Sequence, residues 1–187
     1  MVITKLHPVG IDRPIQELQL GLFEYIMPEL GIENEDYQSY GRAYKNVRAG
    51  EEGLVAEVYS GKGEYRDAYL DDQNKIASFF VVPDTISVDT DQGQNTAQVG
   101  IIFMMNLSRF AGYVPTQRND EEIRNTIMKY FTTPVNGASL TGVVTGQQQV
   151  FAEFTAWRNK SELKFQNIHP WHCFRLNIQL IYSNSNC

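Results

Sequence analysis

The stretch that most constrains the fold lies near the end of the chain, His169-Pro-Trp-His-Cys-Phe-Arg-Leu-Asn-Ile-Gln-Leu-Ile-Tyr182. From Phe174 onward it alternates without a break. Phe174, Leu176, Ile178, Leu180 and Tyr182 fall on one side, and Arg175, Asn177 and Gln179 on the other. A period of two marks a strand buried on one side only. Such a strand requires a covering layer, and the rest of the chain has to provide it.

Two segments have the periodicity of helices. After Asp12, read as an N-cap, and Pro14 in the first turn, the residues Ile15, Leu18, Leu22, Tyr25 and Ile26 recur at spacings of three and four. Pro28 and Gly31 stop this helix. The second begins at Asn119, with Glu122 placed to complete a capping box and Asp120, Glu121 and Glu122 at the positive end of the helix dipole. Its apolar stripe is Ile123, Ile127, Tyr130 and Phe131, closed by Pro134 and Gly137.

Strands are expected at 53–59 and 64–70 around the turn Gly61-Lys-Gly63, and at 75–82, 97–107, 149–157 and 171–182. The 75–82 run is apolar on both faces, so it belongs inside the sheet, paired antiparallel with 97–107. Helices do not alternate with strands, so parallel βαβ units do not fit the expected order. The order predicts a single α+β domain over 1–187, a mainly antiparallel sheet with two amphipathic helices on one face. At about 33–52 the pattern breaks into an irregular, Tyr-rich arm or insertion. Two readings fit it. One is a solvated loop or hairpin with incidental tyrosines. The other is a subunit contact made by Tyr37, Tyr40, Arg42, Tyr44 and Arg48, since Tyr and Arg supply contact area and hydrogen bonds at interfaces.

Composition narrows the function. A chain of 187 residues, 42% hydrophobic and 20% charged, can bury a core without disulfides or metal. Its net charge of −6 opposes ordinary nucleic-acid binding, which needs a basic footprint, but not DNA that passes without adhering. Cys173 in a strand and Cys187 at the end make no disulfide framework. No signal-peptide run or membrane-spanning run of apolar residues occurs, so a soluble protein made in the cytoplasm is expected, with no membrane partner.

Motifs for chemistry are sparse. His169, His172 and Cys173 invite a metal reading, yet neighbours on a strand point to opposite faces and further ligands are lacking. Asp89-x-Asp91-x-Gly93 opens like a calcium loop, but Gly100 stands where a bidentate Glu is needed. There is no Gly-x-Ser-x-Gly elbow and no phosphate-cradling glycine loop. No catalytic, cofactor or metal site is therefore assigned, and the chain is not read as an enzyme.

At the level of element order the chain resembles the small neck and tail-terminator proteins of tailed bacteriophages. The matching segments are Asp12 to Met27, Gly53 to Leu107, Asn119 to Phe131 and Gln149 to Tyr182. The resemblance implies a virion structural protein, made in the host cytoplasm. It would form a hexameric or dodecameric ring that joins head to tail, contacts other neck and tail proteins and lets DNA pass. The polar row Arg175, Asn177 and Gln179 would then line a channel or meet a neighbouring subunit. Two alternatives stand beside it: a small α+β enzyme or ligand-binding domain with its pocket between helices and sheet, and an adaptor that offers a sheet edge to a partner peptide.

Overall fold

The alternating segment forms a strand, Trp171–Ser183, that pairs antiparallel along its whole length with Gln94–Asn106. The computed structural model describes residues 1–47, 53–68, 73–89, 91–158 and 169–183. In chain order its elements are β1 (Val2–Ile3), α1 (Asp12–Leu30), β2 (Tyr37–Val47), β3 (Leu54–Gly61), β4 (Glu64–Asp67), β5 (Ile76–Val81), β6 (Ser87–Asp89), β7 (Gln94–Asn106), α2 (Asp120–Met128), β8 (Ala138–Val144), α3 (Gln147–Val150), α4 (Thr155–Arg158) and β9 (Trp171–Ser183). The strands make one sheet in the spatial order β4-β3-β2-β5-β7-β9-β8, with β1 added beside β2 and β6 beside β7. Pairing is antiparallel except for β1–β2 and β2–β5. Because α1 connects the parallel neighbours β1 and β2, this corner is a βαβ unit, which corrects the expectation from element order; β1, two residues long, is too short to show a period in the sequence. The architecture is mixed α+β on a large, mostly antiparallel sheet.

One face of the sheet meets the longer helices. Ile15, Leu18, Leu22 and Ile26 of α1 and Ile127 of α2 are almost completely buried against Phe103, Phe174, Leu176 and Ile178. Each such side chain contributes roughly 1.5–3 kcal/mol on leaving water. Phe103 and Phe174, cross-strand partners, stack with ring centroids 4.9 Å apart. α1 meets the 3-10 turn that follows α2 (Lys129–Phe131) at Gly21, where a Cβ would stand 2.2 Å from the Tyr130 hydroxyl. The missing side chain lets Tyr130 lie there. Asp12 is the first helical residue rather than the cap, a position held by Ile11, and Asn119 makes no capping hydrogen bond.

The opposite face is covered too. Val150, Phe151, Phe154 and Ala156 pack over Tyr40, Phe79, Ile102, Met104 and Cys173. This corrects the strand expected at 149–157, which instead forms the two short helical turns α3 and α4. Val150 and Phe154 are four apart and Phe151 and Phe154 three apart. That spacing points one way on a helical turn and both ways on a strand.

The Tyr-rich segment is also corrected. Tyr37–Val47 is not an irregular arm but a strand lying between β3 and β5. Tyr37 and Tyr40 are 0% and 1% exposed, in opposite core layers. The period of two is disguised by a register shift between Ser39 and Arg42, which sets Tyr40 and Ala43, three apart, in the same layer. Tyr37 shares a 2.8 Å hydrogen bond with Ser78 Oγ, so its buried hydroxyl has a partner. Arg48 and the rest of the segment to residue 52 lie outside the described residues.

Candidate functional site

The polar row of β9 turns inward at its first member. Arg175 Nη1 donates to both carboxylate oxygens of Glu153, at 2.8 and 2.6 Å, and its Nε donates to Asn177 Oδ1 at 2.8 Å. Only 13% of the Arg175 side chain is exposed. Gly100, opposite Asn177 on β7, makes this possible: a Cβ there would lie 2.3 Å from Arg175 Nε. Arg175 therefore lies across the sheet and fastens the α3–α4 segment within the chain. Asn177 and Gln179 are half-buried. Alternation marks the row as polar. It carries no sign of Glu153, because that partner comes from a segment whose pattern resembles a strand.

A second polar cluster joins the N-terminal segment, α1 and β2. Lys5 Nζ donates to Asp12 Oδ2 at 2.6 Å and to Tyr44 Oη at 2.7 Å, and Tyr44 Oη lies 3.1 Å from the same carboxylate oxygen. The Arg42 guanidinium sits 4.9 Å from the Tyr44 ring centroid and 3.8 Å from Asp12 Oδ1. Burial lowers the affinity of Lys5 for its proton, but the bonds to Asp12 and Tyr44 outweigh that and hold its pKa above the ordinary lysine value. Arg42 and Tyr44, expected at an interface, are thus engaged within the chain. The hollow beside them has a volume of about 10 Å³. Substrate pockets typically enclose roughly 300–1,000 Å³.

The histidines behave as strand geometry dictates. His172 packs under the start of α2, its Nδ1 3.6 Å from Asp120 Oδ2 and 3.5 Å from an Arg118 nitrogen. Burial pulls its pKa down to about 4; Asp120 opposes this, and Arg118 and Arg124 add to it. Cys173 is buried in the opposite core layer. His169 Nε2 pairs with Tyr113 Oη at 2.6 Å. Among the described residues no three His, Cys, Asp or Glu side chains are placed to hold a metal ion.

The remaining surface is organised by edges and charge. Among the described residues β4 and β8 each pair on one side only. Glu64, Arg66 and Asp67 make β4 a charged edge, as soluble proteins commonly arrange. β8, Ala-Ser-Leu-Thr-Gly-Val-Val, has no charge and no proline, and Val143 is 36% exposed. This strand is absent from the expected set. Its signal is Asn136-Gly137, a two-residue turn with φ of 49° and 76° closed by paired bonds between Val135 and Ala138. The helix side is acidic. Residues 12–36 and 119–131 carry ten acidic and three basic side chains, which outweighs the −6 of the whole chain. Glu17, Glu24, Glu29, Glu121 and Glu122 are all exposed there. No described helix is long and apolar enough to cross a membrane. No protein-family model matches the chain, and no curated protein matches it.

Proposed function

We propose that this chain is a structural subunit of a tailed-bacteriophage virion, a ring-forming component of the head–tail connector or tail terminator. The observation that carries the reading is the pair of unlike edges at the two ends of one sheet, β4 charged and β8 uncharged. A subunit whose two joining surfaces differ associates head to tail, and such joins close into a ring when the rotation allows. Edge strands join through main-chain hydrogen bonds, so little side-chain chemistry is needed. The acidic helix layer fits a wall past which DNA moves without adhering, because like charge repels phosphate. Neighbouring neck and tail proteins are the partners this role requires, and the virion is its location.

The test is Val143→Lys, which places a protective charge on the uncharged edge. Electron microscopy and native mass spectrometry of the wild type, alone and in particles, should show a ring. The variant should melt like the wild type yet fail to assemble. A wild-type protein that forms no ring even in the particle, or a variant that assembles normally, overturns the proposal.

A further inference from the structure

Between α1 and β2, beside the Lys5–Asp12–Tyr44 cluster, lies the cavity of about 10 Å³ bordered by Asp12, Gln19, Gly41 and Arg42. Gln19 is 1% exposed. Its Nε2 donates to the carbonyls of Ile3 and Ser39 at 3.0 and 2.8 Å. Both amide protons are therefore committed, and the orientation of the amide is fixed. Oε1 is left as a buried acceptor that no protein donor reaches. Asp12 repeats the situation. Its Oδ2 is taken by Lys5 and Tyr44, while Oδ1 is buried with no hydrogen-bond donor and with Arg42 Nη1 at 3.8 Å, beyond bonding distance.

We infer that this cavity is a binding site for one water molecule, which donates one proton to Gln19 Oε1 and the other to Asp12 Oδ1 and accepts from Arg42. Three features select that ligand. The volume matches roughly one water, the least a cavity must offer to hold one. Two acceptors without donors require a molecule that gives two protons, which excludes an anion. The Lys5 ammonium and the Arg42 guanidinium already stand at Asp12, so a metal or ammonium cation would meet two like charges. The water joins three parts of the chain, because Gln19 holds β1 through Ile3 and β2 through Ser39. Gly41 keeps the space open: a Cβ there would come within 3.4 Å of Gln19 Oε1 and meets no other atom that closely.

Water-to-protein NOE spectroscopy on the isotope-labelled wild type and on Gly41→Ala tests the site, independently of the assembly reading. The wild type should give a cross-peak from a long-lived water to the Gln19 side-chain amide or the Gly41 N–H. Gly41→Ala should lose it while keeping the wild-type pattern of backbone resonances. Melting temperatures in lithium, sodium, potassium and caesium chloride at equal ionic strength should coincide. No long-lived water in the wild type, a cross-peak untouched by a folded Gly41→Ala, or a melting temperature that tracks the identity of the cation overturns the assignment.

Discussion

Replacing Arg175 separates an inward from an outward role for the polar row of β9. With side chains 13% and 22% exposed, Arg175 and Glu153 are too enclosed for the roughly 0–1 kcal/mol of a surface ion pair. They are not sealed enough for the roughly 3–5 kcal/mol lost when one partner of a fully buried pair is removed. Arg175→Met keeps the aliphatic stem and deletes three hydrogen bonds, two of them to a carboxylate. About 2–3 kcal/mol should be lost, or roughly 5–10 °C in melting temperature for a domain of this size. Glu153→Gln should cost about 1–2 kcal/mol. The double variant should fall short of the sum by at least ~1 kcal/mol, since the two changes break one interaction. Urea unfolding followed by circular dichroism measures all four corners of the cycle. Limited proteolysis should find the α3–α4 segment more readily cut in Arg175→Met. Arg175→Glu should destabilise further, by placing two carboxylates together. A coupling energy near zero, with Arg175→Met as stable as the wild type, would falsify this account and return Arg175 to the outer surface.

Buried geometry elsewhere sets two more expectations. His172 has a folded pKa of about 4 against an ordinary 6.5, so the unfolded chain binds the extra proton between those values and the fold is stabilised by the neutral ring. That stability is fully present above pH 6.5 and is lost as pH falls toward 4, about 2 kcal/mol of it between pH 7 and 5. His172→Gln should flatten the stability curve over that interval, and identical slopes in the two proteins would refute the assignment. Gly21→Ala should destabilise by about 1–2 kcal/mol through the clash with the Tyr130 hydroxyl, despite the better helix propensity of alanine. Adding Tyr130→Phe removes the clashing atom, so the double variant should regain stability in thermal melts; a purely additive result would count against the contact.

Elements whose periodicity is local can be read from the residues alone. The strand over 171–182 is legible because Phe174, Leu176, Ile178 and Leu180 alternate with Arg175, Asn177 and Gln179, and one layer buries the apolar set. The same alternation suffices to separate His172 from Cys173, since adjacent residues of a strand face opposite ways. Other features depend on contacts between distant segments, which a local pattern cannot carry. The bulge after Ser39 hides a core strand among tyrosines. The second apolar layer follows from where Val150, Phe151 and Phe154 come to rest, and the partner of Arg175 comes from the same segment. The row on β9 is therefore readable as polar, but the direction in which it works is set by packing between segments far apart in the chain. A glycine on the neighbouring strand and a carboxylate from another layer turn the arginine into a fastening within the chain.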